Sequence, residues 1–496
     1  MFGHFYFDSD ASLSIVKTGF RFTRQENLTA LLPASFMMVK EVIMGVMMQC
    51  FYWDCHKEEN LIEKWWIHLK EKIQILKIAG FTGLWLPPAH KGDQQHGMGY
   101  DPFDFFDLGE FDQRGGIPTG FGTRKQLLDL IQECHDNGIQ VYADVVYNHC
   151  SGGDLEENPD TGTQYYTKFT PESGKFPRDY SCFNPSRYES YDGHDRYGGF
   201  PDLCHRHPEV YRWLLDHASF LVEDIGFDGF RFDLVKGYGT WIVTALLEYR
   251  YRPKDGRQNV SENDWKYFRP FGFGESWSGT REITEWLDSS NSWSDNPVAA
   301  FDFSLRYRLK DLCDKFGFSL HELIKPGALF VDRPFNAVTF VDNHDFRDDS
   351  NPPVITDKML AYAFILTHAG YPCVFWKDYF TNNLALRGQP SGIDALITAH
   401  EKYAGGGTIC RFISDDLYIM ERLGWGEQPG LICVFNNRGD GWQGHWVQTN
   451  RSNTLYEPIA WRGRANMDTP LDSRSTGDGR AQFWAPPRGY AVYVPK

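Results

Sequence analysis

Short apolar runs that end in polar clusters, separated by stretches of helical apolar spacing, constrain this chain more than any other feature. Four of them are Asp144-Val-Val-Tyr-Asn-His149, Gly229-Phe-Arg-Phe-Asp-Leu-Val-Lys-Gly237, Phe273-Gly-Glu-Ser-Trp277 and Phe340-Val-Asp-Asn-His-Asp345. A parallel strand buried on both faces reads as such a run. The pattern predicts strands over 46–52, 81–87, 139–144, 229–234, 271–275, 299–303, 337–341 and 372–376, with helices between most of them, among them 61–78, 123–137 and 210–225. Repeated β-then-α units favour a parallel sheet closed into an eight-stranded α/β barrel, with the polar tips on one rim.

Two stretches break this rhythm. Between 148 and 204 no helical period exists, and Gly, Asp, Pro, Tyr and Ser dominate. An irregular segment that long is usually functional or a small domain of its own. After 407 the pattern becomes short alternating strands separated by turn residues, as in an antiparallel β-sandwich. The expected organisation is an N-terminal extension over 1–44, a barrel over 45–147 and 205–406, an inserted domain over 148–204 and a terminal β-sandwich over 407–496. Met37 or Met38 offers an alternative start.

A net charge of -16 disfavours nucleic acid and anionic membranes, because the long-range field repels them. A neutral polymer is not repelled. No run of eighteen apolar residues exists, so no membrane span is expected. Met1 to about Ala34 lacks the basic start, apolar core and cleavage site of a secretory signal. The ten cysteines form no legible disulfide framework, which points to a reducing, cytoplasmic location. A monomer is expected.

Asp233, Glu275 and Asp345 read as three carboxylates brought to one rim from three strands. Two carboxylates flanking a sugar bond are the working parts of a glycoside hydrolase. Arg231 and Asp233 are two apart and face the same side of a strand, with Phe230 and Phe232 facing the other. A guanidinium beside a carboxylate keeps it ionised, as a nucleophile requires, although a structural Arg–Asp pair reads the same way. Aromatic neighbours of Glu275 raise a carboxyl pKa, as a general acid requires; a helix-capping Glu is the alternative. His344 and Asp345 suit sugar hydroxyls or an Asx-rich turn. Asn148 could ligate a hard cation, and His149 could bind a hydroxyl. The weight lies in four such tips in this order.

These four segments resemble the signature regions of the α-amylase family of retaining glycoside hydrolases. The likeness runs from about residue 45 to the end and includes Gly99-Tyr-Asp-Pro102. Val235-Lys-Gly-Tyr238 and Gly198-Gly-Phe-Pro-Asp-Leu-Cys204 resemble archaeal-type and plant-type members most. The resemblance implies a (β/α)8 barrel, an inserted domain after strand three and a terminal β-sandwich. It implies retaining endo-hydrolysis of α-1,4-glucosidic bonds in starch and glycogen, with Asp233 as nucleophile, Glu275 as acid/base and Asp345 distorting the sugar. Arg231, His149 and His344 would support that sugar, Tyr100 would stack on it, and Lys236 would reach the leaving group. A structural calcium is implied at Asn148, Asp192, Asp195, Asp202 and the Gly237 carbonyl. A neighbouring zinc is left open: Cys204 matches one ligand, but Asn184 stands where a His would be. The alternatives are an α-glucan transferase, an exo-acting or debranching relative, and a non-catalytic glucan-binding barrel.

Overall fold

The computed structural model describes residues 45–57, 64–189, 197–262, 265–292, 294–464 and 468–496. The expected N-terminal extension therefore lies outside the described residues, as do Asp192 and Asp195. Eight parallel strands close a barrel: β1 (Met47–Gln49), β2 (Gly83–Trp85), β3 (Gln140–Val145), β4 (Gly229–Phe232), β5 (Phe271–Gly274), β6 (Ala299–Phe301), β7 (Ala337–Phe340) and β8 (Tyr371–Phe375). Each strand pairs with its sequence neighbour in the barrel, and β8 closes on β1 through Met47↔Cys373.

Aromatic rings from non-adjacent strands fill the interior. Trp85 on β2 meets Phe273 on β5 and Phe301 on β6, with ring centroids 6.1 and 5.3 Å apart. Gly83 makes room below them, since a Cβ there would stand 2.6 Å from the Tyr371 hydroxyl. Tyr371 can then reach the Tyr142 hydroxyl across the barrel at 3.2 Å.

Helices cover the outside. The helix Arg124–Asp136 starts on a capping box, in which Thr123 Oγ1 accepts from Gln126 N and Gln126 Oε1 accepts from Thr123 N. It stops before Gly138 in the left-handed region. The single helix expected over 61–78 is instead two among the described residues, Trp65–Lys70 and Ile73–Ala79. Lys72 N donates to the Leu69 carbonyl in a tight three-residue turn that resets the axis between them. The helix expected over 210–225 runs as Pro208–Ser219 and then widens into π-helical turns over Phe220–Ile225.

The segment after β3 carries an antiparallel hairpin, Asp154–Asn158 with Thr163–Lys168, and returns beside its own start through the His149↔Asp202 bridge. The tail forms β9 (Thr408–Ile413), β10 (Leu417–Arg422), β11 (Leu431–Asn436), β12 (Gln443–Gln448), β13 (Leu455–Arg462), β14 (Ser473–Arg474), β15 (Arg480–Ala485) and β16 (Gly489–Pro495). A sheet ordered β9-β10-β11-β16-β13-β14 faces the two-stranded sheet β12-β15. Tyr456, Phe483 and Tyr493 pack between them. The other face of the larger sheet sits on the helix Lys358–Thr367, where Phe364 meets Phe435 at 5.9 Å and His368 Nε2 meets the Tyr418 hydroxyl at 3.0 Å. Arg488 completes this joint: it is buried, pairs with Asp357 at 2.7 Å and donates to the carbonyls of Leu312 and Cys313 at 2.7 and 2.8 Å. All ten cysteines are free thiols, nine of them buried.

Candidate active site

Arg231 organises the rim. Its side chain points inward from β4, where the register sets it between Asp144 on β3 and Phe273 on β5. Nη1 donates to Asp144 Oδ1 at 2.9 Å and to Asp233 Oδ1 at 2.7 Å, and Nη2 pairs with Glu275 Oε2 at 2.9 Å. One guanidinium thus gathers carboxylates from the ends of three strands. The chain turns sharply after Asp233: Leu234 takes a left-handed backbone at φ 44°, which costs about 1 kcal/mol or more. The strained turn aims Leu234 N–H at Glu275 Oε2, 3.1 Å away.

A single cation cannot neutralise three buried carboxylates, so their protons divide unequally. Burial raises Glu275 to about 8; Arg231 opposes this, and the charges of Asp233 and Asp345 add to it. Burial raises Asp233 only to about 6, with Arg231 again opposing. At neutral pH one carboxyl keeps a proton to donate while its neighbour is an anion. That division is what acid catalysis beside a carboxylate nucleophile requires.

An aromatic wall stands on the Asp345 side. The Tyr100 hydroxyl donates to Asp144 Oδ2 at 2.8 Å, and Trp85 Nε1 donates to the same oxygen at 3.0 Å. The Tyr100 ring lies parallel to His344 with centroids 5.1 Å apart, and Trp53 lies parallel to both. Gln49 Nε2 is 2.9 Å from His344 Nδ1, so that nitrogen accepts and Nε2 carries the proton. His344 Nε2 then faces Asp345 Oδ2 at 3.5 Å. Burial lowers the His344 pKa to about 4, so the ring is neutral. Asp345 is a quarter exposed, and its backbone N–H is held by Asn343 Oδ1 at 2.9 Å.

His149 stands one layer back. It is buried, its Nε2 donates to the Tyr100 carbonyl at 2.9 Å, and its ring stacks on Tyr197 and Phe200. In this arrangement it holds the Tyr100 backbone. Lys236 sits half-buried on the helical turn Val235–Gly237 that follows Asp233. The rim therefore unites Asp233, Glu275, Asp345, Arg231, His344 and Tyr100. Sequence reasoning gave no role to Asp144, Gln49, Trp53 or Trp85. Asp144 was visible as a strand-tip carboxylate, but only the strand register reveals that it shares Arg231.

A curated relative from Geobacillus stearothermophilus, named an alpha-amylase, is 31% identical over 97% of this chain and 93% of its own length. The chain belongs to the α-amylase family. The family model for the α-amylase catalytic domain matches residues 66–269. A cytoplasmic alpha-amylase of Escherichia coli is 29% identical over 88% of this chain and 98% of its own. Among solved structures, an alpha-amylase from Geobacillus thermoleovorans complexed with acarbose superposes with a TM-score of 0.63 at 18% identity, covering 91% of this chain and 98% of that one. A three-domain cyclomaltodextrin glucanotransferase gives 0.62 at 21%, covering 91% and 99%. At such identities the superpositions speak to the fold.

The α-amylase resemblance implies calcium, and the residues behind the rim suit a hard cation. Asn148 is fully buried, and its Oδ1 has no hydrogen-bond partner among the described residues. Gly237 faces that oxygen so closely that a Cβ there would stand 1.8 Å from it. Asp202 joins through the strand bridge to His149, and Asn184 Nδ2 donates to Asp202 Oδ2 at 3.0 Å. Asn184 Oδ1 is likewise buried without a partner among the described residues. Oriented, unsatisfied oxygens are what such an ion needs. Cys204 Sγ accepts from Ser186 Oγ at 3.3 Å, and the described residues bring no three of His, Cys, Asp and Glu together for a metal. Among the described residues no helix is long and apolar enough to cross a membrane.

Proposed function

We propose that this chain hydrolyses internal α-1,4-glucosidic bonds of starch- or glycogen-like glucans with retention of configuration. The observation that carries the reading is the shared Arg231 fork, which holds both Asp233 and Glu275; burial raising Glu275 to about 8 and Asp233 only to about 6 suits them to unlike roles. Glu275 donates its proton to the leaving oxygen as Asp233 attacks the anomeric carbon. A glycosyl ester forms on Asp233, and Glu275, now ionised, takes a proton from the water that hydrolyses it. Asp345 and the Nε2–H of His344 receive hydroxyls of the reacting sugar, with Tyr100 under its face. Lys236 reaches the leaving-group side.

Calcium, when bound, would be held by Asn148 Oδ1, the Asp202 carboxylate and the Gly237 carbonyl, with Asp192 and Asp195 as further donors. It would tie the 148–204 insertion to the turn that carries Lys236. The ten free thiols support a reducing location, and a monomer fits the reading.

The test is digestion of soluble starch by the wild type and by Glu275→Gln. A ladder of malto-oligosaccharides released as the α-anomer, absent in the folded variant, is expected. Cyclic or elongated products would mean transfer, and undiminished activity in the variant would remove Glu275 from its role.

A further inference from the structure

A cleft of about 800 Å³, with Trp53 and His344 in its wall, opens between the barrel rim and the tail sheet. That volume suits several sugar units. Two of its lining residues touch Asp345 of the active centre. His344 lines it and faces Asp345. Asn343 also lines it; this residue is 2% exposed, holds the Asp345 backbone with Oδ1, and has a buried Nδ2 with no hydrogen-bond acceptor among the described residues. An unpartnered buried donor of this kind is costly unless a ligand supplies the acceptor.

The charge of the cleft sets it apart in a chain of net charge -16. Its carboxylates are already matched: Asp342 with Arg306 and Lys358, Asp378 with Lys358, Asp357 with Arg488, and Asp54 with Lys57. Its cations are in excess. Lys377, Arg462 and Arg464 line it and pair with no carboxylate among the described residues. Arg347 lies over the Trp53 ring at 3.9 Å, with its nearest carboxylate oxygens 4.0 Å away. Arg462 donates to the Ser391 carbonyl at 3.3 Å, which leaves Lys377 and Arg464 as the two without a carboxylate among the described residues to spare for an anion; a neutral chain has no use for them, and a phosphate monoester does.

We propose that this cleft receives the non-reducing part of the bound glucan and selects chains carrying a phosphate monoester, with Lys377 and Arg464 meeting the phosphate. The side rests on the leaving-group role proposed above for Lys236, which is not among the residues lining the cleft. The inference rests on the glucan reading above.

The test uses the full chain with Glu275→Gln, so that ligand binds without turnover. Maltohexaose and maltohexaose carrying one 6-phosphate on its non-reducing glucose are titrated by calorimetry. Two partly exposed charge pairs predict about fivefold to tenfold tighter binding of the phosphorylated chain at low salt, shrinking as salt rises. Adding Lys377→Gln and Arg464→Gln is expected to bring the two affinities together. Equal affinities in the parent, or a preference that survives both added substitutions, would overturn the proposal. So would inorganic phosphate binding as tightly as the phosphorylated chain, which would make the cleft a free-ion site. Starch hydrolysis by the wild type alongside equal affinities removes only this inference; failure of both oligosaccharides to bind removes the glucan reading with it.

Discussion

Arg231 Nη2 lies 2.9 Å from Glu275 Oε2 while Nη1 of the same side chain lies 2.7 Å from Asp233 Oδ1. The cation that keeps the nucleophile ionised therefore also touches the group that must carry the proton. Glu275 keeps that proton because burial outweighs its share of a cation divided three ways.

Replacing Arg231 by Met should leave Asp144, Asp233 and Glu275 facing one another without a counter-ion. Asp233 would then hold a proton at neutral pH. The turnover number should fall about 100-fold or more. Stability should fall by about 3–5 kcal/mol, toward the low end if the carboxyls neutralise themselves. Urea unfolding and starch assays of the purified variant measure both. A variant of wild-type activity would contradict the shared-fork account.

The pH profile follows from the same pair. Activity needs Asp233 deprotonated and Glu275 protonated. The specificity constant should rise as pH climbs through about 6 and fall as it passes about 8. On a substrate with a good leaving group, which needs no acid, Glu275→Gln should retain the acidic limb and lose the alkaline one. Persistence of the alkaline limb would assign it to another group.

Gly237→Ala tests the cation site without touching a carboxylate. The Gly237 backbone does not occupy the left-handed region, so Ala is tolerated there until its Cβ meets Asn148 Oδ1 at 1.8 Å. Displacing that oxygen should cost about 1–3 kcal/mol and abolish the calcium-dependent part of the melting temperature. Thermal melts in chelator and in calcium chloride, for both proteins, provide the comparison. A wild-type Tm indifferent to chelator would defeat the calcium proposal.

Arg488→Met should cost about 3 kcal/mol or more, because it strands the Leu312 and Cys313 carbonyls and leaves Asp357 unpaired in the joint under the tail. Denaturant unfolding is the check. A change within about 0.5 kcal/mol would mean the joint relies on its apolar contacts alone.

The barrel and its polar rim were legible because local patterns carry them. Arg231 and Asp233 two apart, ahead of a polar tip, were enough to set both on the inner side. The reach of Arg231 to Asp144 and Glu275 was not legible, since it depends on how three distant strands are registered. The apolar spacing over 61–78 also concealed the turn at Glu71 and Lys72, where neither Gly nor Pro marks the break. Strand β13 is not legible in the sequence, because Pro458 and the shift in register after it interrupt the alternation. The basic cleft was out of reach as well. Its cations come from the residues just after β8 and from the end of β13 and beyond, far apart in the chain.

The joint built on Arg488, His368 and Phe435 makes the terminal sheets part of the barrel's own insulation. Cutting the chain at 407 would bare Phe364 to water and leave His368 without the Tyr418 hydroxyl. An engineer wishing to transplant this catalytic scaffold would have to carry the last ninety or so residues along, or redesign the helix Lys358–Thr367 for solvent.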